Sequence, residues 1–475
     1  MDPADAFVNL YDELKDIPGD ALSDWSDLER VQVTREEVCD EVRTTGFLSE
    51  QWLSAWSDDR EILFGVLLGL NFALLDASTD TSDLGFRALD YLQVRLDMNG
   101  RLNEATGGLL LPRRTSPCRP NEDPEHLDDF LALHRIPAYI STNLQVSKVA
   151  AVHDIPQLDT HGLSDGLATA RPIRIAQLPF LAEPDDLRWK LDRPDGGFYT
   201  VEPDSARLAD RIAEALNVLD QSGAVLAVLP EGCLDDSLLE RWREQLRATP
   251  RPDESSLTWL LLGTGPVTSA GPRPTSNRPP NRAVLVHRNG WLDPLLTQDK
   301  MAGFCFTVEK QKEYEVELGG VKRDERISHD PLITVLESRV GRFAVQVCED
   351  FTRPLRHHPV IAVGATHLLV PVLAAPMWRG GWQAVAGQVL TVQLGAKAAV
   401  SNGLAITRFY KEPKSAVSSF SEVEYPATTL LTITGPLGRP DEYLTTEDMV
   451  QEHGNADAKR QTAAEDAMTP RVADW

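Results

Sequence analysis

The sequence predicts an α/β domain that follows a mostly α-helical region. Helical spacing early in the chain, strands that alternate with amphipathic helices from residue 171 onward, and nearly continuous apolar strands lead to this prediction. Such strands are typical of a sheet that is covered on at least one face. The predicted regions are a helical region of unknown role at 1–165, an α/β domain at 171–437, and an acidic polar tail at 438–475 that is extended or partly disordered.

The N-terminal region carries apolar residues at three- and four-residue intervals. This spacing predicts helices at Ile62–Leu75 and Leu84–Leu96, and a further helical segment near Glu125–His134. Proline, arginine, serine and asparagine cluster at 112–124, which indicates a boundary or an exposed connection. No catalytic motif is found in this region, so the sequence assigns it no chemistry.

The α/β domain begins with the alternating segment Pro172–Pro179, which predicts a strand, and continues with an amphipathic helix at Asp204–Leu219. Further strands are predicted at Ala224–Pro230, Leu257–Leu262, Ala283–His287, Phe343–Val347, His367–Pro371 and Ala398–Ser401, and further helices at Ser237–Leu246 and Trp382–Leu394. Thr275–Pro280 is rich in proline and polar residues, which is typical of a surface loop.

Composition excludes several classes of function. The chain has 475 residues, and its 47 Lys+Arg against 72 Asp+Glu give a net charge of -25, which repels phosphate backbones and anionic lipids. General nucleic-acid binding is therefore not expected. Five scattered cysteines without metal-ligand spacing favour the reducing cytoplasm and no metal site. The N-terminus does not have the pattern of a signal peptide, and Ile62–Leu75 is too short to span a bilayer, so no membrane association is expected.

Cys348 is the first candidate functional residue. It follows the alternating apolar run Gly341–Val347 and precedes two carboxylates, Glu349 and Asp350. This pattern predicts a strand that delivers a thiol to a turn, where a nucleophile lies beside backbone N–H donors. Because a lone buried cysteine is more often a core residue, the interpretation depends on its companions.

Glu231 and Lys300 are the candidate companions. Glu231 directly follows an apolar strand, where α/β folds commonly place functional side chains, although it could simply favour the start of the next helix. Lys300 follows the strand and turn at Ala283–Trp291, and it could equally be a solvated surface charge. Together, a carboxylate can take the thiol proton, a thiolate can attack carbon, and an ammonium can stabilise the developing oxyanion. The backbone N–H of Glu349 would be a second oxyanion donor.

Three of these segments resemble the signature regions of the nitrilase, or carbon–nitrogen hydrolase, superfamily, and two later segments resemble its following strands. The five segments are Leu229–Gly232, Gln298–Lys300, Val345–Asp350, Gly364–Pro371 and Val400–Gly403. The resemblance covers residues 171–437 and implies a four-layer αββα sandwich that forms a dimer or a higher homo-oligomer. It also implies attack of a cysteine on an amide or nitrile carbon, with a covalent thioester-type intermediate and no cofactor.

The same resemblance implies roles for individual residues. Glu231 would be the general base, Lys300 the oxyanion stabiliser and Cys348 the nucleophile. A second glutamate would follow shortly after the lysine and position the substrate and the other three groups. Glu309 is the best match for this glutamate, and Glu313 and Glu315 compete for the role. The charged segment between the lysine and residue 342 is either a solvated insertion or a substrate lid.

Two functions remain open at this point. The preferred hypothesis is a cysteine-dependent hydrolase of a non-peptide carbon–nitrogen bond in a small molecule, an amide rather than a nitrile, because amidases dominate the superfamily. The alternative is a nitrilase-like assembly or sensing module, for example in a bacterial defence system, in which the N-terminal region contacts a partner protein. Both hypotheses predict the same fold, so only the chemistry of the site separates them.

Overall fold

Two units with separate hydrophobic cores make up the chain, one formed chiefly by residues 1–146 and the other by 147–361, 365–437 and 444–475. The computed structural model describes residues 1–54, 59–79, 109–112, 124, 126–131, 133–136, 144–148, 174–195, 197–274, 276–290, 294, 296–328, 332–338, 341–353, 360, 363–374, 397–407, 429–434, 450–454, 468 and 471–474. In this part of the chain, no helix combines the length and hydrophobicity needed to cross a bilayer.

The first unit is mainly helical, with a core built around its longest helix. Its helices are α1 (Pro3–Leu14), α2 (Gly19–Ser26), α3 (Glu29–Thr45), α4 (Gln51–Ser54) and α5 (Arg60–Thr79). Phe64 on α5 contacts the rings of Trp25 and Phe130, with centroids 6.3 Å and 5.6 Å away. Gly69 lets α5 approach α3 closely, because a Cβ atom there would lie 2.7 Å from the Arg35 carbonyl oxygen. The helix predicted at Ile62–Leu75 lies within α5, whereas Leu84–Leu96 lies outside the described residues.

The helix predicted near Glu125–His134 is wrong. The described residues there form a short 3₁₀ helix, Leu127–Phe130, followed by strand β2 (Leu133–Ile136), which pairs antiparallel with β1 (Leu109–Pro112). The Leu133 N–H donates to the side-chain oxygen of Asn71 over 3.1 Å, so a tertiary partner takes the place of a helical carbonyl. A contact so distant in sequence outweighs local helical spacing.

The second unit contains two large β-sheets and a smaller third sheet. The strands of these sheets are β3 (Leu144–Lys148), which spans the boundary between the residues of the two units, β4 (Arg174–Gln177), β5 (Leu187–Leu191), β6 (Gly197–Pro203), β7 (Leu226–Val228), β8 (Trp259–Gly265), β9 (Arg282–His287), β10 (Leu296–Asp299), β11 (Cys305–Phe306), β12 (Arg323–Glu325), β13 (Ile333–Ser338), β14 (Gly341–Val345), β15 (His367–Val372), β16 (Lys397–Asn402), β17 (Thr429–Thr434), β18 (Val450–Gly454) and β19 (Arg471–Asp474). Its helices are α6 (Ser205–Ala209), α7 (Ile212–Gln221), α8 (Asp236–Ala248), α9 (Val308–Glu313) and α10 (Leu404–Thr407).

The two large sheets pack face to face. The six-stranded sheet has the order β10-β9-β8-β7-β4-β19, and the seven-stranded sheet the order β18-β17-β16-β15-β14-β13-β3. Between them, Trp259 on β8 meets Phe343 on β14 edge-on, with ring centroids 5.5 Å apart. The neighbouring residue Leu260 points to the opposite face of β8, where it shares a core with Leu216 of α7 and Trp242 of α8.

The predicted α/β class with preceding helices is confirmed. A helix layer and two sheet layers lie within the described residues, and the helix predicted at Trp382–Leu394 lies outside them. The polar segment 438–475, for which an extended or partly disordered tail was predicted, includes β18 and β19, which pair with β17 and β4. Backbone hydrogen bonds hold such edge strands in place. Because these bonds do not require apolar side chains, the sequence of an edge strand can lack the apolar run that would predict it.

The third sheet has the order β11-β12-β6-β5 and joins two segments that are far apart in the chain. Strand β12 runs parallel to β6, and Glu325 is the register partner of Tyr199. Aromatic side chains of this sheet and its loops pack together, with Phe306 at the centre of contacts to Trp189, Tyr199, Phe304 and Tyr314. Much of the charged segment after Lys300 therefore folds against an upstream hairpin.

We expect Gly263→Ala to lower the free energy of unfolding more than the matched change Gly320→Ala. Both glycines have positive φ angles, +81 and +65 degrees, but an added Cβ at Gly263 would overlap the Pro230 carbonyl oxygen and the Cys233 sulfur, whereas no atom lies within 4 Å at Gly320. Left-handed strain costs about 1–2 kcal/mol at either site, and overpacking adds about 1–3 kcal/mol at Gly263 alone. Urea denaturation of both variants measures the difference, and equal losses would contradict this account.

Candidate active site

Glu231, Lys300 and Cys348 meet at one end of the sandwich. The Lys300 Nζ atom lies 2.7 Å from Glu231 Oε1, and the Cys348 thiol lies near enough to the Glu231 carboxylate for that charge to raise the pKa of the thiol. All three side chains are buried. The N–H of Glu231 donates to the Val372 carbonyl oxygen over 3.3 Å, which ties the segment after β7 to the end of β15. The structure thus brings together three residues that the sequence singled out separately.

Cys348 occupies a strained turn directly after β14. Its φ angle is +49 degrees, a left-handed conformation that a residue with a Cβ atom rarely adopts. The residue also opens the 3₁₀ helix Cys348–Thr352, so the next backbone N–H, that of Glu349, lies in a first turn where N–H groups have no partner within the helix. The Glu349 carboxylate instead pairs with Arg353 over 2.5 Å.

Asp350 fastens this turn to the loop that carries Lys300. Its two carboxylate oxygens accept hydrogen bonds from the N–H groups of Met301 and Ala302, over 2.9 Å and 2.7 Å. The turn at Cys348 and the loop that carries Lys300 are therefore held in one arrangement by a buried carboxylate. The sequence placed Asp350 next to the cysteine but did not indicate this contact.

The second glutamate beside Lys300 is Glu325, which the sequence analysis did not select. Its Oε2 atom accepts from Lys300 Nζ and from the Phe304 N–H, over 2.7 Å and 2.9 Å. Glu309 is instead exposed at the start of α9, and Glu315 is exposed after the same helix. The side chain of Glu313 lies outside the described part of the chain.

The structure does not bring Glu309, which is exposed, to the buried Lys300, and the reason is physical. Helix α9 and strand β11 lie between the lysine and β12, so the glutamates nearest to Lys300 in sequence lie on a surface segment. The parallel pairing of β12 with β6 then places Glu325 next to Lys300. The pairing partner comes from a hairpin much earlier in the chain, and local spacing does not reveal it.

Asn281 and Thr264 are further buried polar residues that the sequence analysis missed. The Asn281 Nδ2 atom donates to Glu231 Oε1 over 2.8 Å and to Glu325 Oε1 over 3.0 Å. The Thr264 hydroxyl donates to the Asn281 Oδ1 atom over 2.6 Å. A polar residue immediately before the apolar strand β9 was the available signal, and it resembles many ordinary loop residues.

Burial and neighbouring charges set the protonation states of the site. Burial alone would lower the pKa of Lys300, but Glu231 and Glu325 outweigh it and raise this pKa well above the usual value. Burial raises the pKa of Glu231, and Lys300 offsets part of that rise. Burial and then Glu231 raise the pKa of the Cys348 thiol well above its usual range, despite Lys300. These shifts favour a charged Lys300 and a neutral Cys348 thiol, and they make the Glu231 carboxylate more basic than usual.

Tyr199 contributes an aromatic side chain beside these charges. Its hydroxyl donates to the Phe304 carbonyl oxygen over 3.4 Å, and burial followed by the charge of Glu325 raises its pKa well above the usual value. The phenol is therefore neutral, and it couples the third sheet to the loop after Lys300.

The other described cysteines have different surroundings. The Cys233 thiol donates to the Pro230 carbonyl oxygen over 3.0 Å, and burial raises its pKa. Cys305 is partly exposed, and Cys39 is buried in the helical unit. Among the residues described by the structure, no group of three His, Cys, Asp or Glu side chains has an arrangement that could hold a metal ion.

Comparisons with known proteins return solved structures only. No family model and no curated protein matches this sequence. An amidase from Nesterenkonia sp. is similar with a TM-score of 0.39 and 16% identity, over 66% of this chain and 93% of that chain. Saccharomyces cerevisiae Nit3, described as a member of branch 10 of the nitrilase superfamily, is similar with a TM-score of 0.35 and 14% identity, over 60% of this chain and 87% of that chain.

We expect Lys300→Met to destabilise the protein more at high pH than at low pH. Without the ammonium, the buried Glu231 loses the charge that offsets its burial and still faces Glu325, so its folded-state pKa rises further above that of the unfolded chain. Groups of this kind stabilise the fold below their unfolded pKa, and that contribution is lost as pH rises through the folded pKa. The expected cost is about 3–5 kcal/mol near pH 8 and smaller near pH 5.

Urea denaturation across this pH range measures the effect, with Lys310→Met as the matched control. Lys310 lies 4.3 Å from the centre of the Phe304 ring, so removing its charge costs a cation–π contact of about 1 kcal/mol or less at this incompletely buried position. A loss for Lys300→Met that is small and independent of pH would contradict the charge arrangement described above.

Proposed function

We propose that this protein is a cysteine-dependent hydrolase of a non-peptide carbon–nitrogen bond, acting on a small-molecule amide through a covalent thioester. The observation that carries the proposal is the buried salt bridge between Glu231 and Lys300 beside the thiol of Cys348, which lies at a strained turn. A packing role does not account for a buried ammonium and carboxylate beside a buried thiol, because charges this deeply buried are costly to the fold.

The first half of the reaction follows from the positions of these groups. Glu231 takes the proton of the Cys348 thiol as the sulfur attacks the amide carbon, and the carbonyl electron pair moves onto oxygen. Two of the three N–H bonds of the Lys300 ammonium go to Glu231 and Glu325, so the third can donate to the oxyanion together with the Glu349 N–H. Collapse of the tetrahedral intermediate breaks the carbon–nitrogen bond, and the leaving nitrogen takes the proton from Glu231.

The second half regenerates the enzyme. Glu231 takes a proton from water as the water oxygen attacks the thioester carbon, and the same donors stabilise the second oxyanion. Breakage of the carbon–sulfur bond releases the carboxylic acid product, and the proton held by Glu231 returns to the sulfur. The raised pKa of Glu231 suits this role, because a general base works best when its pKa lies near the working pH.

Compartment and assembly belong to the same proposal. Cys39, Cys233, Cys305 and Cys348 are free thiols, which suits the reducing cytoplasm. A homo-oligomer is the assembly implied by the resemblance of the sequence motifs to the nitrilase superfamily. The small-molecule amide is the proposed substrate, and neither a cofactor nor a metal ion takes part in the steps above.

We expect chloroacetamide, an amide-shaped electrophile, to label Cys348 faster than the more exposed Cys305. The reason is that Glu231 and the oxyanion donors would activate the thiol toward an amide, whereas exposure alone favours Cys305. Peptide mass spectrometry measures the labelling of both cysteines, and a panel of amides with ammonia detection measures turnover.

Cys348→Ala should abolish turnover and Cys305→Ala should preserve it. Labelling of Cys348 no faster than Cys305, with no turnover of any amide, would favour the assembly or sensing module.

We expect Glu231→Gln to reduce turnover of a responsive amide by about 10²–10⁴-fold, because the variant keeps the shape of the residue but loses the base. Glu309→Gln should leave turnover unchanged, since Glu309 is exposed on α9. Steady-state kinetics of the two glutamine variants provide the comparison. Similar activity in both would contradict the assignment of Glu231 as the general base.

A further inference from the structure

Asn281 lies at the centre of the polar contacts around Lys300, yet the reaction steps above do not use it. The pairing of β9 with β10 makes Arg282 the register partner of Asp299, so the residues next to them, Asn281 and Lys300, also meet. The Lys300 N–H donates to the Asn281 carbonyl oxygen over 2.8 Å. The backbone of Asn281 thus contacts the backbone of Lys300, and its side chain contacts the two carboxylates that flank the Lys300 ammonium.

The chemistry of its neighbours fixes the orientation of the Asn281 amide. Ionised carboxylates can only accept hydrogen bonds, so the Nδ2 atom must face Glu231 and Glu325, and the Oδ1 atom must face the Thr264 hydroxyl. The two N–H bonds of one NH₂ group then bridge the two carboxylates. Lys300 Nζ forms a parallel bridge between the same carboxylates, with both distances at 2.7 Å.

The charge balance explains why a neutral bridge is useful here. Two buried carboxylates and one ammonium leave one negative charge uncompensated, and two nearby carboxylates without further donors tend to share a proton. A protonated Glu231 could not act as a base. An added cation would keep it ionised but would also weaken its basicity, whereas an amide donates hydrogen bonds without adding charge.

We propose that Asn281 is a positioning residue for the reaction, which holds Oε1 of Glu231 beside Lys300 so that the other carboxylate oxygen is presented, ionised, to Cys348. This inference rests on the proposed function. The titratable groups that face Glu231 are Lys300, Glu325, Cys348 and Tyr199, and each belongs to a different segment of the second unit. Asn281 contacts two of the charged members of this set and carries no charge itself.

The test is the pH profile of the reaction in three variants. Asn281→Ala removes the bridge, Asn281→Asp keeps the shape but loses both donors, and Thr264→Val removes the hydroxyl that orients the amide. For each variant we measure kcat and KM for a responsive amide, and the rate at which chloroacetamide labels Cys348, as functions of pH. Asn289→Ala, on the turn after β9, is the matched control.

We expect both Asn281 variants to move the acid limb of kcat/KM and of Cys348 labelling to higher pH by about one unit or more, because each loses charge-assisted hydrogen bonds to Glu231. Near neutral pH, kcat should fall by about ten-fold or more while KM changes less. Thr264→Val should shift the limb less and in the same direction, and Asn289→Ala should not shift it. A purely structural role would lower the yield of folded protein without moving the limb.

The outcomes separate this inference from the proposed function. An acid limb at the wild-type pH in the folded Asn281 and Thr264 variants would overturn the positioning role, even if their activity is reduced. A wild-type protein that neither hydrolyses amides nor labels at Cys348 would instead overturn the function itself. If Asn281→Ala does not fold, the two variants that preserve side-chain volume, Asn281→Asp and Thr264→Val, decide the question.

Discussion

The buried ammonium of Lys300 between Glu231 and Glu325 is the interaction on which the site depends. Removing three charges from water costs several kcal/mol for each ion, and only close contacts with good geometry recover that cost. Both salt-bridge distances are 2.7 Å, and each carboxylate also accepts a hydrogen bond from Asn281. Glu231, Lys300 and Glu325 come from three separate segments. The charge of each is therefore paired only when the second unit has folded and brought these segments together.

The register of the strands determines the positions of these charged side chains. Lys300 follows β10, and the pairing of Asp299 with Arg282 fixes this strand through backbone bonds and through a buried ion pair whose atoms lie 2.5 Å and 2.8 Å apart. Glu325 is fixed by the pairing of β12 with β6, and the turn at Cys348 is fixed by the hydrogen bonds of Asp350. A shift of one residue in any of these strands would reverse the faces of its side chains and leave a buried charge unpaired.

The sequence predicted the parts of the site that lie at the ends of apolar strands. Glu231 and Cys348 were found because an apolar run, continuous at β7 and alternating at β14, ends shortly before each of them, and Lys300 was found as their chemical complement. Glu325 was missed because its place depends on pairing with a distant hairpin, and Glu309 was preferred because it is closer in sequence. Asn281 was missed because a neutral amide before a strand has no distinctive pattern, although its contacts are as close as those of the charged residues.

The arrangement allows negative charge to move without changing the net charge of a buried site. With both carboxylates ionised, Lys300 charged and the thiol neutral, the proposed reaction starts from a total charge of minus one. In that reaction, proton transfer and attack leave Glu231 neutral and place the charge on the oxyanion, so the total is the same. Lys300 contacts the group that loses the charge and has an N–H bond left for the group that gains it. Because its donors are already in place, the site needs little reorganisation during the step, which is the main source of electrostatic catalysis.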